Sequence, residues 1–179
     1  MTGRLIAITT VLCIASACGG ASAAAFTADP RSYLLTLDEL QTPGLSMTAP
    51  PALTGATSAS VTFDRTADLA TANGPVEVID TVVRFASTSS AQGAYQHDIA
   101  ARDGQSGESA LSTGGLGDES HADSLVRTTA QGLQAVQITL EWRVANVTVV
   151  LEVRGRYGGT RLDDALMLAH RQTARSLSS

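Results

Sequence analysis

The sequence predicts an α+β domain, in which an antiparallel β-sheet with a long carboxy-terminal hairpin is covered on one face by helices. Two consecutive segments that alternate apolar and polar residues, 136–144 and 147–153, predict the hairpin. A run rich in β-branched residues at 77–86 predicts a further strand. Apolar stripes with helical spacing predict one helix before the hairpin and one after it. The predicted order is strand, strand, helix, strand, hairpin and helix.

The amino-terminal segment has the pattern of a bacterial export signal. Arg4 supplies a positive charge, residues 5–14 form an apolar stretch too short to span a membrane, and small residues at 15–17 precede Cys18. This arrangement resembles a lipoprotein signal, although such signals usually have Leu, Val or Ile where this chain has Ala15. The resemblance implies that Cys18 becomes the first mature residue, carries acyl chains and tethers the protein to the outer face of the cell membrane. The alternative is a soluble secreted protein with an incidental cysteine.

The chain is accordingly divided into a signal peptide at 1–17, a flexible tether at 18–28 and a single α+β domain at 29–179. Cys13 lies in the segment that would be removed, so the domain contains no cysteine and its core must form without a disulfide. A domain of this size buries enough apolar surface to do so.

The charge composition argues against nucleic acid as a partner. All 12 basic residues are arginines, and the 17 carboxylates give a net charge of −5. Phosphate binding needs a clustered basic patch, and the sequence contains no such cluster. Docking of the domain surface on anionic lipid headgroups is disfavoured for the same reason. No motif predicts a cofactor.

Local patterns predict the first elements of the domain. Residues 33–40 are expected to form a short helix or an edge segment, and residues 60–64 a short strand. Between them, two prolines and a glycine predict a loop at 49–59. In the strand at 77–86, the alternation assigns one set of residues to the apolar face, namely Ile79, Thr81, Val83 and Phe85. Asp80 and Arg84 are assigned to the opposite, polar face.

A helix is predicted after this strand, at 91–101, with hydroxyl caps from the serines and threonine at 87–90. Its residues Ala91, Tyr95 and Ile99 are spaced four apart and are expected to pack on the sheet. The glycine- and serine-rich segment at 104–117 predicts a mobile surface loop.

The hairpin has a predicted register. A two-residue loop at Ala145-Asn146 pairs Val144 with Val147, Trp142 with Val149 and Leu140 with Leu151, which places both apolar sets on one face. On the other face the same register sets Thr139 against Glu152 and Arg143 against Thr148. After the hairpin, Thr160 and Asp163 have the spacing of a capping box, and the helix that follows has one apolar face formed by Leu162, Leu166, Ala169 and Thr173.

Three features together resemble a family of bacterial envelope proteins. They are the cysteine at position 18, the segment Leu-Gly-Asp-Glu-Ser at 116–120 before a strand, and the hairpin core Arg-Val-Ala-Asn-Val at 143–147 before a carboxy-terminal helix. Over residues 33–177 the chain is similar to LpqN-type lipoproteins and to the extracellular sensor domains of PknH-type kinases, which have a PsbP-like fold. The resemblance implies a non-enzymatic binding or sensing module. The chain departs from the kinase sensors because it lacks their paired cysteines, and from related hairpins because Ala145 replaces a frequent glycine.

We therefore expect a membrane-anchored module that binds a small apolar or lipid-like ligand, or a protein partner of the envelope. The residues predicted to line a pocket between sheet and helices are those on the inner faces, namely Val83, Phe85, Tyr95, Leu140, Trp142, Val149 and Leu166. The same residues would form the core of a protein without a pocket, and plain packing is the simpler role of Trp142. A passive scaffold without a small ligand is the corresponding alternative.

An enzyme is the alternative from another class. Asp118, Glu119, His121 and Asp123 lie within six residues and could bind a metal ion through carboxylate oxygens and an imidazole. The simpler interpretation is a solvated turn in which Asp118 accepts hydrogen bonds from nearby backbone amides. The residues Gly-Gln-Ser-Gly at 104–107 do not complete the G-x-S-x-G motif of hydrolases. His97 and His170 are expected on exposed helix surfaces. We expect no catalysis.

Overall fold

The computed structural model describes residues 25–102 and 108–177. The chain begins with a 3₁₀ turn at Pro30–Tyr33, followed by the short helix α1 (Leu37–Leu40), and two longer helices come later, α2 (Thr88–Arg102) and α3 (Leu162–Ser176). The strands are β1 (Ser46–Leu53), β2 (Ser58–Asp64), β3 (Glu77–Arg84), β4 (Glu108–Leu111), β5 (Glu119–Thr128), β6 (Gln134–Val144) and β7 (Val147–Arg156).

The seven strands form one antiparallel sheet in the order β1-β2-β3-β7-β6-β5-β4. The predicted α+β class with a long carboxy-terminal hairpin is confirmed. The hairpin register is also confirmed, since Val144 pairs with Val147, Trp142 with Val149 and Leu140 with Leu151. In the two-residue turn between β6 and β7, Ala145 has a left-handed φ of 50°.

The helices lie on both faces of the sheet rather than on one. Gln172 of α3 donates a hydrogen bond to Asp80 on one face, whereas Arg102 of α2 pairs with Glu141 on the other. Leu140 and Trp142 of β6 belong to the apolar core together with Leu168 of α3. Because successive side chains of a strand point to opposite faces, Glu141 between them points away from this core. The core face is therefore covered by α3 and the 3₁₀ turn, and the opposite face, here called the α2 face, is partly covered by α2.

Strand β3 turns the opposite face to the core from the one predicted. Val78 and Val82 are fully buried in the apolar core, and Asp80 between them is also fully buried. Ile79, Thr81 and Val83 are only partly buried, on the α2 face. The prediction was wrong because it treated the single carboxylate as a marker of the polar face. The Asp80 Oδ2 atom accepts hydrogen bonds from Leu35 N at 2.7 Å and from Gln172 Nε2 at 2.9 Å. These bonds offset part of the free-energy cost of burying the carboxyl group.

Two predicted loops contain edge strands. Residues 46–53 form β1, which is exposed along its whole length and pairs irregularly with β2. Prolines at positions 50 and 51 are tolerated there because an edge strand leaves half of its N–H groups outside the ladder. Residues 108–111 of the predicted surface loop form β4, which pairs with β5. Residues 103–107 lie outside the described part of the chain.

The two predicted long helices are confirmed, but the cap and the buried face of α3 differ from those predicted. In α2, Ala91 and Tyr95 are buried as predicted, and the Ser87 hydroxyl accepts the Ser90 N–H at 3.1 Å. In α3, Asp164 accepts the Arg161 N–H at 2.9 Å, so the helix begins one residue later than the predicted capping box. The predicted cap residue Thr160 instead donates its hydroxyl to the Gly74 carbonyl. The buried face of α3 is rotated accordingly and consists of Ala165, Leu168, Ala169 and Gln172.

The last residues of the predicted tether are part of the domain. The Phe26 N–H donates to Asn146 Oδ1 at 2.7 Å, and Asn146 Nδ2 donates to the Phe26 carbonyl at 3.0 Å. The Phe26 ring meets Tyr33 edge to face at 5.6 Å. Residues 1–24, with the predicted signal and Cys18, lie outside the described chain. Among the described residues, no helix is long and apolar enough to cross a membrane.

Candidate functional site

A cleft of about 380 Å³ opens at one end of the sheet, where three connections of the chain meet. They are the α1–β1, β2–β3 and β7–α3 connections, the last continuing into the first turns of α3. We call this the loop cleft, and its lining residues are Gln41, Thr42, Pro43, Asn73, Gly74, Pro75, Gly159, Arg161, Asp164 and Met167. Its volume falls within the roughly 300–1,000 Å³ of small-molecule sites.

Hydrogen bonds between the three connections fix the rim of the loop cleft. The Arg65 guanidinium donates to the carbonyl oxygens of Asn73 at 2.6 Å and Gly74 at 3.1 Å, and to that of Pro43 at 3.5 Å. The Gly74 N–H donates to the Gly159 carbonyl at 2.8 Å. Each connection is thus tied to another, so the loop cleft is formed before any ligand arrives and binding need not order its rim.

Two positions in the rim have unusual backbone requirements. Gln41 has a φ of 46°, which is rare for a residue with a side chain, and its Oε1 accepts Arg171 Nη2 at 2.7 Å. At Gly159 a Cβ atom would lie 2.6 Å from the Ala72 carbonyl oxygen, so only glycine lets the β7–α3 connection approach the β2–β3 connection this closely. A left-handed backbone at a residue with a side chain, as at Gln41, is frequent at ligand sites.

The structure divides the predicted pocket residues between the two faces of the sheet. Leu140, Trp142 and Val149 are fully buried in the core beneath α3, and Leu166 packs at its margin. Val83 and Tyr95 belong to the α2 face, and Phe85 follows the end of β3, with its N–H bound to the Asn146 carbonyl. None of the seven lines the loop cleft.

The predicted acidic cluster divides into two groups on the α2 face. In the first, Asp118 Oδ2 lies 2.9 Å from Arg143 Nη1, and Glu119 Oε2 lies 2.8 Å from Arg143 Nε. Asp118 also accepts the Ala145 N–H at 2.8 Å, so the predicted hydrogen bonding of Asp118 to backbone is confirmed. This group fixes the hairpin turn to the start of β5.

The second group lies beneath the carboxyl end of α2. His121 stands opposite Glu141 in the β5–β6 register, and its Nε2 is 4.0 Å from Asp123 Oδ2. Arg102 of α2 approaches Glu141 Oε2 at 2.8 Å and Asp123 Oδ2 at 3.8 Å. Burial raises the pKa of Glu141 to about 7 and also raises the pKa of Asp123, in each case against the attraction of Arg102.

The buried acids do not form a metal centre in this arrangement. Over residues 25–102 and 109–177, no three His, Cys, Asp or Glu side chains converge closely enough to hold a metal ion. His97 and His170 lie exposed on α2 and α3. The serine of the Gly-Gln-Ser-Gly segment at 104–107 falls outside the described residues.

Sequence reasoning missed the loop cleft because each of its walls, taken alone, is an ordinary turn. Pro43 and Gly44, Gly74 and Pro75, and the glycines at 158–159 are all turn signals, but nothing in their spacing shows that the turns meet. It also missed Glu141, which the alternation placed on a polar surface. A left-handed Gln41 has no sequence signal at all.

Comparisons with known proteins show a shared fold. The sequence matches no protein-family model and no curated protein. Among solved structures, the extracellular domain of PknH from Mycobacterium tuberculosis aligns with a TM-score of 0.59 at 12% identity, over 86% of this chain and 98% of that chain. A protein from Bacteroides thetaiotaomicron VPI-5482 aligns with a TM-score of 0.41 at 14% identity, over 69% of this chain and 42% of that one. The fold is that of the PknH extracellular domain.

Proposed function

We propose that this protein is an extracytoplasmic, lipid-anchored binding module that takes a small polar ligand in the loop cleft. The observation that carries the proposal is the cleft itself, which has the volume of a small-molecule site and a rim fixed by hydrogen bonds from Arg65 and Gly74. The export pattern before Cys18 and the fold shared with an extracellular domain support a place outside the membrane.

The composition of the loop cleft supports binding rather than catalysis. Its lining contains no histidine, cysteine or serine, its one hydroxyl group, on Thr42, donates to the Leu40 carbonyl at 3.3 Å, and its carboxylate, Asp164, accepts the Arg161 N–H. A nucleophile paired with a base is therefore missing from the described lining. The polar side chains of Gln41, Asn73 and Arg161 favour a polar ligand over the apolar one predicted from the core residues.

Native mass spectrometry of the protein purified from its own membrane tests the ligand. The matched variants are Asn73→Trp, which fills the cleft from an exposed rim position, and His97→Trp, which adds the same bulk on the exposed surface of α2. A small-molecule mass should accompany the wild type and His97→Trp and be absent from Asn73→Trp. A chain that carries no extra mass, or keeps it in Asn73→Trp, contradicts the proposed site and favours a scaffold.

The anchor is tested in the same preparation. Acylation adds the mass of two or three fatty chains to Cys18, which are sufficient for stable membrane attachment. Cys18→Ser should release the protein from the membrane fraction and leave its circular dichroism spectrum unchanged. An unmodified Cys18 in the wild type would instead support the soluble secreted alternative.

A further inference from the structure

Four arginines surround the loop cleft, although they are far apart in the sequence. Arg161 lines it directly. Arg65 donates to the carbonyls of Asn73 and Gly74, and Arg171 donates to the Gln41 side chain. Arg156 donates to the Ala72 carbonyl at 2.9 Å, beside the lining residue Asn73. A third of the 12 arginines of an acidic chain are thus gathered at one site.

None of these four arginines forms an ion pair with a carboxylate of the described residues. In the described part of the chain, the arginines in ion pairs are five others, namely Arg31, Arg102, Arg143, Arg154 and Arg175. Arg65, Arg156 and Arg171 donate instead to carbonyl oxygens and to a side-chain amide, which are uncharged and do not cancel the charge of the guanidinium groups.

One negative charge does lie in the loop cleft. Asp164 Oδ2 accepts the Arg161 backbone N–H at 2.9 Å, and its carboxylate offsets one of the four positive charges. The remaining charges leave a concave surface that is positive in a protein of net charge −5. A cleft whose surrounding charges sum to one sign attracts ligands of the opposite sign.

We infer that the ligand of the loop cleft is a small polar molecule with an anionic group, a carboxylate or a phosphate, which the Arg161 guanidinium binds. The inference rests on the proposed function of the cleft. A guanidinium presents a planar fork of donors that matches both groups. Arg161 is exposed and its side chain has no carboxylate partner among the described residues, so it is free to turn to a ligand. The other three arginines add charge from behind the rim.

Three probes on one scaffold test the inference, namely glucose, glucose 6-phosphate and glucuronate. They differ only in carrying no charge, a phosphate or a carboxylate. Binding to the full chain in a zwitterionic detergent is followed by NMR through the amide signals of Gly74 and Gly159, two glycines of the cleft wall. We expect at least one charged probe to bind about tenfold more tightly than glucose, and to weaken as salt is added.

Matched variants assign the effect to the site. Arg161→Gln should weaken the charged probe about tenfold and leave glucose unchanged. Arg127→Gln removes the same charge from an exposed position outside the loop cleft and should change the affinity less than twofold. If glucose binds as tightly as the charged probes, the anionic ligand is refuted and the cleft remains a binding site. If none of the three shifts the cleft signals, both the inference and the proposed function are rejected.

Discussion

Replacement of Asp80 by asparagine should stabilise the protein at alkaline pH and have little effect in acid. Asp80 lies in the centre of β3 with no exposed surface, and its Oδ1 has no hydrogen-bond partner among the described residues. Burial raises its pKa from the ordinary 3.8 to about 7, against the hydrogen bonds from Leu35 and Gln172. An asparagine carbonyl can accept the same two bonds without bearing a charge.

The size of the effect follows from the change in pKa. Between pH 3.8 and about 7 the folded protein keeps a proton on Asp80 that the unfolded chain loses, so the free energy of unfolding falls as pH rises through this window. The interval is about three pH units, and each unit corresponds to about 1.4 kcal/mol, which gives a loss of at most about 4 kcal/mol. Above pH 7 the loss is complete. Asp80→Asn should therefore match the wild type near pH 4 and exceed it by up to this amount at pH 8.

Urea unfolding followed by fluorescence gives the measurement, because Trp142 is the single tryptophan and is fully buried. Titrations at several values between pH 4 and pH 8 yield the free energy of unfolding of each variant. Asp163→Asn, an exposed carboxylate on the first turn of α3, is the control and should follow the wild-type profile. If Asp80→Asn keeps the wild-type pH dependence, or is the less stable protein at pH 8, the argument from burial is refuted.

Three further predictions concern the α2 face and the hairpin. Glu141→Gln should also flatten the fall in stability between pH 4.5 and about 7, because Glu141 is buried and its pKa is raised; an unchanged urea profile between these values would contradict this. Arg143→Ala should lower the free energy of unfolding by about 1–3 kcal/mol, because the buried guanidinium gives up its bonds to Glu119 and to the Ala145 carbonyl, whereas Asp118 is half-exposed and can be solvated by water. A loss below about 1 kcal/mol in urea would show that water replaces the guanidinium. Ala145→Gly should raise the free energy of unfolding by up to about 1 kcal/mol, since φ is 50° there and glycine is not penalised in this region; a lower melting temperature would show that the methyl contacts matter more.

The elements that could be predicted from the sequence are those whose signal is local. In β6 and β7 the alternation runs for about ten residues on each side of a two-residue turn, and a slip of one residue would expose both apolar sets. The register of the β6–β7 hairpin therefore follows from the local alternation of apolar and polar residues. The stripe at Ala91 and Tyr95 identified α2 in the same way.

The elements that could not be predicted depend on contacts distant in sequence. Asp80 reversed the predicted face of β3 because its partners, Leu35 and Gln172, come from the two ends of the domain. Strand β1 has no apolar alternation and is held mainly by the edge of β2. The loop cleft is the extreme case, since its arginines come together from positions 65 to 171 only when the sheet has formed.

The attachment of Phe26 at the hairpin turn determines which end of the molecule lies nearer to the amino-terminal segment. The turn at Ala145-Asn146 and the loop cleft lie at opposite ends of β6 and β7, which at about 3.3 Å per residue are roughly 33 Å long. Cys18 is about eight residues before Phe26 and can be no more than roughly 28 Å from it. An acylated Cys18 would thus keep the hairpin turn within a short distance of the bilayer. The cleft would then face outward, toward solutes arriving from the surroundings and away from the lipids that carry the anchor.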